Sequence, residues 1–497
     1  MMPEPTPHRR SSMDSPGRRL GRRGAFRLAF FLFAMSSLLL VARRGIHSSD
    51  GYFEYQVAER IVQSGRLDLP QYAGTGENRV QRGTDGNYYA VYGIGQSVLY
   101  TATIWMDRAL IWTIDRVNVS GFGFEPPFLF SISANAFVLS AMLVLLHSTF
   151  RHLGISPAPA LFSALVYGFA TMALAYAQLS FDICLASLLL LGMYACHFHS
   201  LERPECKYLL LAGLLYGALL NTKVAFGVLA APMLATYAWK WISGQEGWRS
   251  LSKRLLLISA GAAPLVGLFF FYNDYRFGSI FNTGYGLIQP LSDSFSIPTL
   301  PASVPALLLS PGRSLFLYSP PVLLSLFGLR TFFRERREVA INVYAVILIN
   351  FLLFSLWYWW HSRGAWGPRF QFATVLFLMF PAAYWLNERW AAVAGRFRWA
   401  SMVAYGACFG LQMSAVLAGI PRMPAELSEF WALSSYQGIG AMSRAAQILM
   451  RGDFGELNLW WADSVFEGSL TVRLMALALI VLASLAGRYV LRNYERV

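Results

Sequence analysis

The sequence predicts an all-α polytopic membrane protein of about twelve transmembrane helices, with a long first outer loop carrying interfacial helices. Three observations carry this. Residues of the set AVILMFWYC make up 56 % of the 497-residue chain and Asp, Glu, Lys and Arg only 14 %, against roughly 45–50 % and about 25 % in soluble domains. Long apolar runs recur from Phe26 to Leu485, and a bilayer core about 30 Å thick takes ~20 apolar helical residues per crossing. Basic clusters punctuate those runs, as a positive-inside topology requires. A soluble enzyme, a DNA-binding factor and a disulfide-stapled secreted domain are excluded.

The formal net charge of +14 does not point to nucleic acid, because of where it sits. Arg9, Arg10, Arg18, Arg19, Arg22, Arg23 and Arg27 precede or open the first apolar run. Such charge holds loops on the cytoplasmic side near anionic lipid. Cys184, Cys196, Cys206 and Cys408 lie in or beside apolar runs without metal-site spacing, and read as packing residues. No A-x-A-like cleavage site follows the first run, which reads as a retained helix. Residues 1–25, rich in Arg, Ser and Pro, read as a disordered basic cytoplasmic tail.

With the amino terminus inside, the first helix (26–42) leads out into an outer loop spanning 43–126. The apolar segment 91–112 is interrupted by Asp107-Arg108 and contains Gly93, Gly95, Gln96 and Thr101. Read as a span, it would reverse the charge bias of every later loop, so it is expected to be interfacial or re-entrant. Further spans then alternate at 127–149, 159–178, 183–200, 208–221, 224–242, 255–272, 315–329, 339–357, 370–386, 400–419 and 473–487, with both termini inside. Residues 391–497 form a C-terminal pair of helices flanking an outer segment, 421–471. Arg43-Arg44 is the exception, a basic pair outside.

This threading gathers the unusual polar clusters on the outer face, where charge at a membrane boundary is costly and commonly functional. Asp50 and Glu54, four residues apart, put two carboxylates on one helix face. A carboxylate bordering a membrane cavity can serve as a general base; the spacing alone favours Asp50 as the N-cap of an amphipathic helix over 51–63, and a base could also serve as the cap. Asp182 is either a site residue or the N-cap of the following helix. Lys223 is either a snorkelling lysine or a point charge for a lipid phosphate. Arg276 and Tyr285, in Asn273–Ser279 and Thr283–Gly286, add a cation and an aromatic face. Trp357–Trp360 reads as an interfacial belt. In Gly364–Arg369, Gly and Pro form a turn that aims Arg369 back toward the membrane, and its fork suits phosphate oxygens.

The order of these elements is more specific than any one of them. An outer-loop Asp follows helix one, then Ala58-Glu59-Arg60, Gly65–Leu69, Tyr92–Ser97, Asp182, Thr222-Lys223, Asn273-x-x-Arg276-Phe277-Gly278-Ser279, Gly284-Tyr285, Ser310–Arg313 with Pro320, and Trp366-Gly367-Pro368-Arg369. Over about 26–390 this resembles the bacterial members of the GT-C superfamily of integral-membrane glycosyltransferases, related to protein O-mannosyltransferases and lipid A aminoarabinose transferases.

The resemblance implies an enzyme of the bacterial cytoplasmic membrane working on its extracytoplasmic face. It would take a sugar from a polyprenyl-phosphate donor and pass it to a lipid, glycan or protein acceptor. Membrane lipids are the other partners, and nucleic acid is not one. The family's catalytic base maps onto Asp50, and Glu54, Asp182, Lys223, Arg276, Tyr285 and Arg369 become substrate-binding candidates. Position 51 is Gly where the family commonly has a second acid beside the first. No cofactor is expected, and no dedicated metal site, since Mg²⁺ and Mn²⁺ take several oxygen ligands. One base and several cations suit an inverting displacement; a retaining one would need a second nearby carboxylate. A transporter or flippase of a lipid-linked sugar would share the outer cavity and cations, but it commonly shows internal repeats and midplane sites, which this sequence lacks.

Overall fold

The computed structural model describes residues 16–43, 45–46, 48–116, 128–203, 205–288, 291–362, 364–421, 426, 428–462 and 470–496. The chain is a multi-pass membrane protein. Eight of its described helices are long and apolar enough to cross a bilayer, and shorter apolar helices accompany them. The long ones are α1 (Pro16–Leu40), α4 (Ala134–His152), α6 (Ile183–Glu202), α9 (Trp248–Phe277), α12 (Arg337–Leu356), α13 (Phe372–Ala394), α14 (Arg398–Ala418) and α16 (Leu470–Asn493). Helix α13, with the turn at Arg369–Gln371, is 83 % buried within the protein over its most apolar stretch, and α6 is 78 % buried. For α16 the figure is 11 %, so α6 and α13 are central and α16 is a peripheral helix packed on α1.

Four expected spans are short or broken. Segment 159–178 becomes α5 (Pro157–Ala170), followed by a separate turn of helix at Ala173–Ala177. Segment 208–221 is α7 (Cys206–Thr222), 17 residues long and packed along α6 and α9. Segment 224–242 starts as a 3₁₀ stretch, Val224–Ala230, before α8 (Ala231–Ile242). Segment 315–329 is divided at Pro320–Leu323 before α11 (Leu324–Glu335). Proline lacks the donor that would continue the helix there and clashes with the preceding turn. Helix α1 begins at Pro16, inside the stretch expected to be a disordered tail; proline is favoured at a first helical position. Residues 1–15 lie outside the described residues.

The first outer loop holds the amphipathic helix α2 (Ser49–Ser64) and a short antiparallel hairpin, β1 (Val80–Arg82) with β2 (Tyr88–Ala90). The hairpin departs from the all-α expectation; the turn Asp85-Gly86 was its sequence signal. The segment expected to be interfacial or re-entrant is one continuous helix, α3 (Ile94–Arg116), lying along α2. Asp107, which interrupts its apolar run, accepts from the backbone N–H of Phe128 (3.0 Å), Phe130 (2.8 Å) and Ser131 (3.0 Å). Its carboxylate therefore caps the next helical turn. Arg43, the outer basic exception, is buried and turned toward Asn458 of the C-terminal outer segment. It serves as a tie between segments rather than as a loop charge. That segment contributes α15 (Gln437–Arg451), which packs on α14, and α10 (Leu300–Leu309) lies in the loop after α9.

Candidate active site

Helix α2 starts under Ser48, whose hydroxyl accepts from Gly51 N–H (2.9 Å) and donates to the Ser180 carbonyl (2.7 Å). The N-cap is thus Ser48, and the reading of Asp50 as the cap falls away. The same contact explains residue 51. A Cβ there would collide with the Ser180 carbonyl, so the acid common at this position in the GT-C pattern has no room. Asp50 sits in the first turn, where the helix dipole favours a negative charge.

The Asp50 carboxylate accepts from Arg369 Nη1 (2.9 Å) and from the Tyr92 hydroxyl (3.0 Å), with Arg79 at 3.9 Å. Its side chain is 19 % exposed and that of Arg369 14 %. Burial pushes the Asp50 pKa up. Arg369, Lys223, the Tyr92 hydroxyl and Arg79 outweigh it, and together hold the carboxyl below its ordinary value. Tyr92 is driven the other way, well above the ordinary phenol, by burial and by Asp50.

Asp182 does not cap its helix through its side chain. It accepts both of its bonds from Lys223 Nζ, at 3.0 and 2.9 Å, so Lys223 is an ion-pair partner rather than a snorkelling group. The loop carrying Asp182 is fixed by Asn135, whose amide donates to the carbonyls of Leu179 (2.6 Å) and Phe181 (2.9 Å). Two carboxylates are thereby matched by two cations in one place.

Glu54 completes the cluster differently. It is 1 % exposed, and neither carboxyl oxygen has a hydrogen-bond partner among the described residues. Burial, followed by Asp182 and Asp50, raises its pKa well above the ordinary glutamate value. Burial and its acidic neighbours disfavour its charged form, and it does not line the cavity as a surface ligand would. Arg276 also departs from its expected phosphate role. Its guanidinium donates to the carbonyls of Ala90 and Tyr92 (3.1 Å), to Asn273 Oδ1 (3.1 Å) and to the Tyr272 carbonyl (3.2 Å). It clamps the strand end that presents Tyr92 to Asp50. Arg369, by contrast, has Nε buried without a hydrogen-bond partner among the described residues, and it lies over the rings of Phe181 and Phe370. Its guanidinium thus faces the Asp50 carboxylate and borders the cavity, rather than being taken up by backbone carbonyls.

Most of these groups border a cavity of about 450 Å³, although Glu54 and Asp182 do not line it. Asp50, Arg79, Tyr92, Lys223, Arg276, Tyr285 and Arg369 form its polar end. Leu220, Val224, Phe269, Phe295 and Phe354 line it too, as do Trp357, Tyr358 and Trp359, which the sequence read as a belt. One charged end and one apolar flank suit a phosphate attached to a long hydrocarbon. Among the described residues no group of three or more His, Cys, Asp or Glu is arranged to hold a metal ion. Tyr92 and Arg79 were missed as site residues. Tyr92 stood in a quoted motif without a role, and nothing in the sequence distinguishes Arg79 from its neighbours.

No family model and no curated protein matches the sequence. Solved structures do match the fold. ArnT from Cupriavidus metallidurans bound to undecaprenyl phosphate superposes with a TM-score of 0.53 at 14 % identity, covering 96 % of this chain and 78 % of that one. Its apo state gives 0.52 at 13 % identity, covering 96 % and 77 %. The archaeal oligosaccharyltransferase AglB from Archaeoglobus fulgidus, in complex with an inhibitory peptide and a dolichol-phosphate, gives 0.50 at 11 % identity, covering 86 % of this chain and 56 % of that one. The chain shares its fold with ArnT, a fold in keeping with the resemblance that the order of motifs suggests.

Proposed function

We propose that the protein is an inverting glycosyltransferase that moves a sugar from a polyprenyl-phosphate-linked donor to an acceptor hydroxyl on the extracytoplasmic face of the membrane. Asp50 is its general base. The membrane is a bacterial cytoplasmic membrane with both chain termini inside. The observation that carries the reading is the Asp50 carboxylate at the polar end of an apolar-flanked cavity that Lys223 and Arg369 also line. The lipid phosphates bound in ArnT and AglB support a donor of that class.

The chemistry follows from the charges. The acceptor oxygen bonds to the anomeric carbon as the bond from that carbon to the phosphate oxygen breaks. The electron pair stays with the phosphate, and the acceptor proton goes to Asp50. Polyprenyl phosphate leaves with one more negative charge than the diester carried, which Lys223 and Arg369 stabilise. Before donor arrives, each cation is neutralised by a carboxylate. A phosphate that draws Arg369 to itself loosens Asp50, whose pKa then rises toward that of an effective base. Glu54 is buried and does not line the cavity, and its surroundings disfavour the carboxylate form, so it does not offer the nucleophile that a retaining route requires. The displacement uses side chains of this chain and no cofactor.

The test is sugar transfer or release from a panel of polyprenyl-phosphate sugars by the purified protein in lipid vesicles, with the anomeric configuration of the product recorded. Turnover of a donor with inversion supports the reading. Movement of labelled lipid-linked sugar across the bilayer without turnover would replace it with a transporter or flippase.

A further inference from the structure

The stretch Ser310–Arg313 and the outer segment after α14 have no role in the displacement, yet both reach the turn that ends at Arg369. Arg313 is fully buried. Its Nη1 donates to the carbonyls of Ala365 (3.0 Å) and Gly367 (2.8 Å), and its Nη2 to that of Ser362 (3.0 Å). Gln437, the first residue of α15, accepts from Gly367 N–H through Oε1 (3.2 Å). Its own amide donates to the Pro421 carbonyl (2.9 Å), and its backbone N–H to the Tyr318 hydroxyl (3.1 Å).

The backbone held this way is not one that relaxes there by itself. Ser362 has φ +43°, in the left-handed region that non-glycine residues seldom occupy, and Gly367 has φ +59°. A Cβ on Gly367 would stand 2.5 Å from the Tyr318 ring. Such conformations persist where the surroundings over-determine them, and here Arg313, Gln437 and Tyr318 do so. A planar guanidinium can bridge several carbonyls in a fixed geometry that a lysine ammonium cannot.

We infer that Arg313 and Gln437 are positioning residues that aim Arg369 at the donor phosphate, so that the start of α15 sets how tightly Arg369 holds the donor. The inference rests on the proposed function. It makes the C-terminal outer segment part of donor recognition although none of these contacts lies at the reacting atoms.

The experiment is a double-mutant cycle on the full chain in vesicles, using a polyprenyl-phosphate sugar that the wild type turns over. Equilibrium donor binding is measured for wild type, Gln437→Ala, Arg369→Gln and the double variant. The loss of one hydrogen bond to the turn corresponds to roughly twofold to tenfold in donor affinity. That loss should appear in Gln437→Ala and vanish in the Arg369→Gln background, where Lys223 still holds the phosphate. Gln437→Ala should also move the acid limb of kcat/KM to higher pH, because Asp50 shares Arg369; a merely structural role would lower Tm and leave the limb in place. Arg313→Lys, which keeps the charge but not the fork, should match Gln437→Ala in donor affinity. Equal losses in both backgrounds, or an unmoved acid limb, overturn the inference while leaving the proposed function standing. Absence of turnover by the wild type with every donor overturns the proposed function and the inference with it.

Discussion

Asp50 and Arg369 stand 319 residues apart in sequence and 2.9 Å apart in space, and each sets what the other can do. Arg369 is the largest influence holding the Asp50 carboxyl below its ordinary value, and Asp50 fixes the guanidinium at the edge of the cavity. Replacing Arg369 with Gln removes the nearest cation from a half-buried carboxylate, so the Asp50 pKa rises. The acid limb of kcat/KM should therefore shift to higher pH, since activity needs Asp50 deprotonated. Loss of phosphate stabilisation should lower kcat by roughly 10²–10³-fold. A pH–rate profile of Arg369→Gln checks both.

The donor competes with Asp50 for that arginine, which separates two pH dependences within the wild type. The limb of kcat/KM reports free enzyme, where Arg369, Lys223, Tyr92 and Arg79 hold Asp50 below its ordinary value. The limb of kcat reports the donor complex. The kcat limb should lie at the higher pH, and identical limbs would mean that Asp50 keeps its cation through the reaction.

Lys223 and Asp182 are 15 % and 6 % exposed. Lys223→Met strands a buried carboxylate and should cost roughly 3 kcal/mol or more, whereas the double change to Lys223→Met with Asp182→Leu should recover much of that. Thermal unfolding in detergent of the two single variants and the double variant is the measurement.

Glu54 makes the opposite kind of prediction. Its folded pKa lies well above the ordinary value, so folding retains a proton that the unfolded chain gives up as pH rises through the ordinary glutamate range. The native state is therefore increasingly penalised above that range. Glu54→Gln, which carries no proton to lose, should raise Tm more at pH 8 than at pH 5. An equal effect at both pH values would show that Glu54 is ionised in place.

Much of this was legible in the chain. Apolar runs and basic clusters located the spans, and Asp50, Asp182, Lys223 and Arg369 were named from charge and position alone. Their pairing was not legible, because a salt bridge across 319 or 41 residues leaves no local trace. Nor could composition separate three arginines. Arg276 and Arg313 donate to backbone carbonyls while Arg369 donates to the Asp50 carboxylate, a difference that exists only in the folded chain. Ser48 took the cap from Asp50 because its hydroxyl serves Gly51 and Ser180 together. The broken helix at Thr171 was hidden by uniform hydropathy on both sides of the break, whereas the Pro320-Pro321 pair marks the other break in the sequence itself.

The central claim is that Asp50 performs chemistry on a bound lipid-linked sugar. The direct measurement is donor binding and donor turnover, side by side, in wild type and Asp50→Asn. The account predicts binding retained, with turnover reduced by about 10²–10⁴-fold, the usual contribution of a positioned base. Turnover at the wild-type rate in Asp50→Asn would contradict it.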